Sequence, residues 1–331
     1  MGCPADLAAP LRRGEGAVAI GVDVSADAVT AVVTDGRGSV ISSVERPVPR
    51  QCRADADRLA QEIGSAIQSL CAGLAGDLST EVSEAAALVV GVSVPGVVDE
   101  DEGRVRRSET LGLQDAPLVS LVRRSLSSQA SGSPGLSGSL EVRLYQDAGC
   151  GAWAESRWGA GGASCLYLSV GAGISAAVLL DGVPVHGGGW AGQAGRIMVP
   201  DPDWSGERAR LEDVASLDAM VGRYTAGLVD DVDDVDDSDG GSDDLGGCGG
   251  SDDPCGGRAG SPVPGLEALL GAMRMGDREA RRVWDTGLDC LAELIAQGVG
   301  LLGPLDVVVN SELMRADEAA FLEPLRGRVA D

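Results

Sequence analysis

The N-terminal part of the chain alternates between short β-branched runs and tight polar turns. Because only a few residues separate the first runs, they can pair only as antiparallel hairpins. Further along, apolar residues recur at the spacing of a helix and then form one continuous apolar run, which is typical of a buried strand in a parallel sheet. The predicted elements are strands over 17–24, 28–34 and 39–46, a helix over 54–75 and a strand over 86–94.

A second set of similar elements follows in the same order. The predicted elements are strands over 142–145, 164–171 and 174–180, helices over 148–158, 211–228, 266–274 and 277–302, and a last strand over 305–309. Strands that alternate with helices in this way indicate an α/β fold. The repeated order predicts the two-lobed ribonuclease-H/actin-like ATPase class, whose lobes enclose a site for a nucleotide or a sugar.

The pattern also predicts how the chain is organised. Residues 1–16 are rich in proline, glycine and arginine, and we expect a linker there. An N-terminal actin-like lobe follows over 17–145, and a C-terminal actin-like lobe over 146–331. Within the second lobe, residues 230–261 hold eleven aspartates and almost no apolar residues, which predicts a disordered acidic insert.

The charge balance excludes several classes of function. The chain has 331 residues, with 26 Lys+Arg against 51 Asp+Glu, so its net charge is -25. Binding to nucleic acid depends on cations that neutralise phosphates, and we therefore expect no DNA binding by this chain alone. All 26 cations are arginines, which excludes a catalytic or phosphate-binding lysine.

Cysteine and histidine usage argues against a metal site. None of the 8 cysteines forms a C-x-x-C pair, and the single histidine is His186. The chain contains neither the run of roughly 18 apolar residues that a membrane span needs nor a signal-peptide pattern. We therefore expect a soluble, cytoplasmic protein without a membrane partner, whose cysteines are mostly small core residues.

Six segments, taken in order, resemble the ROK family (repressor, open reading frame, kinase), which unites sugar kinases and sugar-responsive transcription regulators. One of them, GVSVPGVVDEDEG, is similar to the family's G-x-x-x-P-G-x-V-D stretch. The segments are the strand and turn around Asp23, 91–103, 146–159, 171–197, 210–216 and 276–310. The resemblance covers about residues 17–325 and implies the same actin-like fold.

The resemblance implies a sugar site. In the family's kinases an aspartate after the short strand is the general base on a sugar hydroxyl, and Asp147 stands at that position. The same residue could cap the predicted helix 148–158, and both roles are compatible. The other implied sugar-binding positions are Thr110, Gln146, Gln193, Arg196 and Glu212. Only Asp147 and Glu212 keep the family's residue, so we expect a changed or weakly bound sugar.

The implied nucleotide site is degenerate. The family's kinases place a glycine-rich turn after Asp23, because glycine lets backbone N–H groups approach a phosphate closely. Here that turn holds Ser25 and Asp27 instead, and the Asp27 carboxylate would repel a phosphate. The second phosphate turn keeps Gly171 and Gly173. ATP with magnesium is therefore expected as a cofactor only if the chain is an active kinase.

The family's structural zinc is not expected either. Its histidine position is Arg196, and residues 201–212, which should carry cysteines, carry none. We therefore expect no metal site.

Three functional hypotheses follow from these residues. The first is a non-catalytic, sugar-sensing domain of a ROK-type transcriptional regulator, whose winged helix–turn–helix is missing from this chain or encoded upstream. The second is an active, ATP-dependent, glucokinase-like sugar kinase with an altered site. The third is a decayed or structural paralogue that binds nothing. A small-molecule sugar and a second copy of the chain, forming a homodimer, are the expected partners.

Overall fold

The protein is described by a computed structural model. The described residues are 19–35, 38–73, 87–129, 139–203, 206–233, 265–311, 313 and 318–330. The predicted linker 1–16 and residues 234–261 of the predicted insert lie outside the described residues. Residues 230–233, by contrast, end a helix. None of the helices in these described ranges is both long and apolar enough to cross a membrane.

Strands and helices alternate along the chain as predicted for an α/β fold. The strands are β1 (Ala19–Val24), β2 (Ala28–Thr34), β3 (Val40–Pro47), β4 (Ala87–Val94), β5 (Val97–Asp99), β6 (Arg104–Ser108), β7 (Leu113–Ala116), β8 (Ser139–Gln146), β9 (Cys165–Val170), β10 (Ile174–Leu180), β11 (Val183–Pro184), β12 (Met198–Pro200), β13 (Arg208–Arg210) and β14 (Asp306–Asn310). The helices are α1 (Ala56–Gly73), α2 (Leu118–Gln129), α3 (Asp147–Trp158), α4 (Leu211–Ala215), α5 (Leu217–Asp233), α6 (Leu266–Arg274), α7 (Arg278–Leu302) and α8 (Glu318–Ala330).

The chain divides into two compact units that are interleaved along the sequence. The first consists of Met1–Ser169, Ser175–Gln193 and Pro304–Val309, and the second of Val170–Ile174, Ala194–Gly303 and Asn310–Asp331. The predicted lobe boundary at residue 145 stays a prediction.

The first unit is built on a five-stranded sheet with the order β3-β2-β1-β4-β8. The hairpins of β1, β2 and β3 are antiparallel, whereas β4 runs parallel to β1 and to β8, as the sequence predicted. Alternate residues of these strands are buried with α1 and α2 in one core, because β-branched side chains fill that face. The opposite face is polar where β1, β4 and β8 end.

Two smaller sheets complete the first unit. The sequence did not predict the antiparallel sheet β5-β6-β7, whose strands are only three to five residues long. Helix α3 packs on the four-stranded sheet β11-β10-β9-β14. Its Ala148 and Ala152 pack against Tyr167 and Leu179 of that sheet. Predicted strand 174–180 is confirmed at both ends.

The second unit is mainly helical. The long helix α7 begins at an N-cap, Asp277, whose side chain accepts the backbone N–H of Ala280. Its Trp284 is buried and donates its indole N–H to the carbonyl oxygen of Ala320 in α8, at 3.0 Å. The predicted helix over 211–228 is divided at Ser216 into α4 and α5, and α8 was not predicted.

Candidate functional site

Polar side chains stand in a row where the parallel strands of the first unit end. The register places Asp23 of β1 beside Ser93 of β4, and Ser93 beside Tyr145 of β8. The Ser93 hydroxyl donates to Asp23 Oδ1 at 2.6 Å. Ligand sites of open parallel sheets commonly lie at the carboxyl ends of the strands, and this edge is therefore the candidate site.

Asp147 follows directly after β8 at the same edge. Helix α3 begins at Asp147, with Gln146 as its N-cap residue, so the expected capping role of Asp147 does not have the usual geometry. Its Oδ1 instead accepts the backbone N–H of the next residue, Ala148, at 2.7 Å. Burial, opposed by this hydrogen bond and assisted by the charge of Asp23, raises the pKa of Asp147 to about 7. A carboxyl group with this pKa can exchange a proton with a hydroxyl near neutral pH.

Gln146 has an unsatisfied side chain. Its amide nitrogen is buried, and no hydrogen-bond acceptor for it is found among the described residues. A buried donor without an acceptor costs roughly 1–3 kcal/mol, which a hydroxyl oxygen of a ligand would offset. Gln146 and Asp147 are thus neighbours that offer a donor and a carboxyl group at one edge.

Glu100 belongs to this site and was missed by sequence reasoning. It lies in the turn after β5. Burial raises the pKa of Tyr145 and of Cys150, and the charge of Glu100 adds to both shifts. Burial first, and then the charges of Glu100, Asp147 and Asp23, raise the pKa of Cys150 to about 12. Three carboxylates therefore act on one thiol, which is itself kept unreactive. Glu100 stands in an acidic run, and only its tertiary position distinguishes it from a solvated turn.

A glycine loop over residues 186–193 carries the predicted sugar residue Gln193. The Gln193 side-chain amide donates to the carbonyl oxygen of Gly96 at 3.1 Å, which leaves its own carbonyl oxygen for a ligand. His186 Nδ1 lies 3.6 Å from Glu100 Oε1. This contact and the hydrogen bond from Gln193 to Gly96 connect the loop to both ends of β5.

Thr110 has an exposed side chain and lies on a loop whose backbone is fixed by hydrogen bonds. The backbone N–H of Leu111 donates to the Ser108 hydroxyl at 3.2 Å, and that of Ala54 donates to the Leu111 carbonyl oxygen at 2.9 Å. The role of Thr110 in sugar binding stays a prediction.

The turn between β1 and β2 is closed by hydrogen bonds of its own. The Ser25 hydroxyl accepts the backbone N–H groups of Ala28, at 3.1 Å, and of Asp27, at 3.4 Å. The N–H of Ser25 donates to the Ala28 carbonyl oxygen at 2.9 Å. Asp27 pairs with Arg53 at 3.6 Å, and its other carboxylate oxygen is buried without a donor among the described residues. The backbone N–H groups of Ser25, Asp27 and Ala28 are thus all used within the turn.

The second unit contains the remaining predicted residues. The backbone N–H of Gly171 donates to the Gly173 carbonyl oxygen at 3.0 Å, which also closes this turn on itself. Glu212 lies in the first turn of α4, and a Cβ atom on Gly195 would stand 2.8 Å from its Oε2. Arg196 is half-buried one residue further along.

The expected lack of a metal site stays a prediction. Within the residues that the structure describes, no group of three or more His, Cys, Asp or Glu side chains is arranged to hold a metal ion.

Comparison with known proteins agrees with the resemblance. The family model described as "ROK family" matches residues 19–330. A curated relative, the xylose repressor of Caldicellulosiruptor bescii, is 29% identical over 140 residues, which are 40% of this chain and 32% of the relative. The putative xylose repressor of Caldicellulosiruptor sp. (strain Rt8B.4) is 31% identical over 141 residues, again 32% of its length. These matches span only about a third of either repressor.

Solved structures of both kinds of protein share the fold. A ROK family transcriptional regulator, a homologue of the E. coli MLC protein, matches with a TM-score of 0.65 and 18% identity over 95% of this chain and 69% of its own. A ROK family glucokinase from Streptomyces griseus in complex with glucose and AMPPNP matches with a TM-score of 0.64 and 20% identity over 94% of this chain and 88% of its own. At these identities the likeness supports the actin-like fold alone.

Proposed function

Because the chain belongs to the ROK family, we propose that it is the sugar-sensing part of a transcriptional regulator and does not transfer phosphate. The observation that carries this proposal is the β1–β2 turn. Ser25 accepts the backbone N–H groups of Asp27 and Ala28, and a phosphate could bind there only after those hydrogen bonds break. The repressors among its curated relatives support the regulator branch.

The ligand of this proposal is an uncharged sugar. Asp147 and the buried amide of Gln146 offer an acceptor and a donor for hydroxyl groups. Asp23 and Glu100 add two carboxylates to the same edge, so a sugar phosphate would meet like charge there. In the second unit, Arg196 and Glu212 remain the predicted sugar residues.

A thermal-shift measurement tests this function. D-xylose, D-glucose, N-acetyl-D-glucosamine and glucose 6-phosphate are each added with and without Mg-ATP. We expect one neutral sugar to stabilise the protein, by about 2.7 kcal/mol at a hundredfold excess over its Kd, and Mg-ATP to add nothing. Asp147→Asn should abolish the response, whereas the matched control Asp213→Asn, which removes an exposed carboxylate in the second unit, should retain it. No response to any sugar would overturn the proposal.

One observation favours the second candidate, an ATP-dependent sugar kinase. A general base works best with a pKa near the operating pH, and Asp147 has a pKa of about 7. ADP release in the presence of D-glucose or D-xylose, lost in Asp147→Asn, would establish the kinase instead of the sensor.

We further propose that the regulator is a homodimer and that DNA contacts come from another module. Leu301 at the end of α7 is 85% exposed, which suits a self-association surface in the second unit. The net charge of -25 is unfavourable for phosphate contacts by this chain. Light scattering of the eluting protein measures the mass, and a monomer with or without sugar would contradict the dimer.

A further inference from the structure

The glycine loop has few side chains with which to hold its position. Gly187, Gly188, Gly189 and Gly192 all have positive φ angles, between 51° and 84°, and Trp190 is 55% exposed. Glycine also loses more conformational freedom on ordering than any other residue. His186 and Gln193 are therefore the polar side chains that can fix it, beside the hydrogen bond from the Ala176 N–H to the Gly192 carbonyl oxygen.

Strand β5 and the turns at its ends are where the loop is fixed. A Cβ atom on Gly189 would overlap the carbonyl oxygen of Val98, so the loop backbone lies directly on the strand. At one end of β5 the Gln193 amide donates to Gly96, and at the other His186 meets Glu100. Three contacts thus hold the loop on β5, and the Gln193 side chain itself makes the one to Gly96.

We propose that His186 is a positioning residue, which through its ion pair with Glu100 holds the glycine loop on β5 and so presents Gln193 to the sugar. This role rests on the proposed function, because Gln193 is a predicted sugar residue. His186 does not itself contact the ligand in this proposal. It acts only through Glu100 and the loop backbone.

The ion pair makes the position of the loop depend on pH. The contact with Glu100, and then the charge of Asp101, raise the pKa of His186 above its usual value, against an opposing effect of burial. Asp99, at the same turn, is engaged with Arg106. Only the protonated imidazole pairs with Glu100, so the contact is complete below about pH 6.5 and is lost as the pH rises through the raised pKa.

The first test uses the fact that His186 is the only histidine. Its Cε1–H signal can be followed by NMR in tag-free protein without assignment. We expect Glu100→Gln to lower the titration midpoint towards about 6.5, and the matched control Glu102→Gln, in the same turn, to leave it unchanged. An unchanged midpoint in Glu100→Gln would overturn the ion pair.

The second test measures the loop itself by hydrogen exchange over residues 186–193, corrected for the intrinsic effect of pH. An exposed ion pair contributes about 0.2–1 kcal/mol, so the loop should be about 1.4- to fivefold more protected at pH 6 than at pH 8. His186→Gln should remove this difference. Equal protection at both pH values in the unchanged protein would refute the positioning role, with no sugar needed.

The third test adds D-xylose or D-glucose, whichever stabilises the protein. The ratio of its affinities at pH 6 and pH 8 should be about 1.4- to fivefold larger in the unchanged protein than in His186→Gln. The pH dependence that remains in the variant belongs to Asp147, whose pKa is about 7. If neither sugar binds while the NMR and exchange results hold, the proposed function fails but the ion pair and the loop stand. A pH dependence of the affinity that is the same in His186→Gln as in the unchanged protein would overturn the positioning role.

Discussion

The Ser25 hydroxyl accepts the backbone N–H of Ala28 at 3.1 Å and donates to the carbonyl oxygen of the same residue at 3.2 Å. One side chain therefore closes the turn in which the family's kinases are expected to bind phosphate. The carboxylate of Asp27 adds negative charge to that turn. Both features support the proposal that the chain does not transfer phosphate.

Replacing both side chains should partly restore a phosphate site. We expect Ser25→Gly with Asp27→Gly to bind Mg-ATP at millimolar concentration, about 4 kcal/mol, because backbone N–H groups become free and a carboxylate is removed. The unchanged protein should show no Mg-ATP response. Calorimetric titration measures both, with Ser39→Gly in the next hairpin as control. Binding by the unchanged protein would contradict the account of the turn.

Asp147 should make stability decrease as the pH rises. The carboxyl group ionises near pH 3.9 in the unfolded chain but near 7 in the folded protein. Between these values the folded state holds a proton that the unfolded state has lost, so folding becomes less favourable with increasing pH. We expect Asp147→Asn to raise the free energy of unfolding more at pH 8 than at pH 5, by about 2 kcal/mol.

Urea unfolding at the two pH values measures this difference. The control is Asp213→Asn, which removes an exposed carboxylate. Its effect on the free energy of unfolding should be the same at pH 5 and pH 8. A gain for Asp147→Asn that is the same at pH 5 and pH 8 would show that the carboxyl group is not held protonated.

Much of the fold follows from local patterns. The hairpins of β1 to β3 and the parallel strand β4 were predicted because β-branched runs and short turns leave few ways to pair. Helix α6 agrees with its prediction at both ends. The strands β5 to β7 were not predicted, because they are short and contain charged residues such as Arg104, Arg106 and Asp115. The ion pairs of these residues exist only after folding.

The site could be predicted only in part. The family's motifs pointed to Asp147 and Gln146, and the structure brings Asp23 to the same edge. Glu100 and His186 could not be found in this way, because their contact joins residues far apart in the sequence.

Helix α8 should be essential for the second unit, although its sequence lacks a clear periodic pattern and includes Pro324. Its Phe321 is fully buried against Trp284, with ring centroids 6.2 Å apart. We expect Phe321→Ala to reduce the free energy of unfolding by about 3–5 kcal/mol. In Met275→Ala, where the side chain is 90% exposed, the change should stay within about 0.5 kcal/mol. Urea unfolding followed by tryptophan fluorescence measures both, and equal effects would contradict the packing.

The glycine loop offers a matched pair of substitutions. Gly188 and Gly192 have φ angles of 66° and 82°, so alanine is strained at both positions. A Cβ atom on Gly188 would meet open space, whereas on Gly192 it would overlap the carbonyl oxygen of Ala176, which belongs to the strand beneath the loop.

Gly188→Ala should therefore cost only the backbone strain, about 1–2 kcal/mol, and keep the sugar response. Gly192→Ala must displace the loop, break the hydrogen bond from the Ala176 N–H to the Gly192 carbonyl oxygen, and lose the response. Thermal unfolding with and without sugar separates the two variants, and a full response in Gly192→Ala would mean that the position of the loop does not control binding.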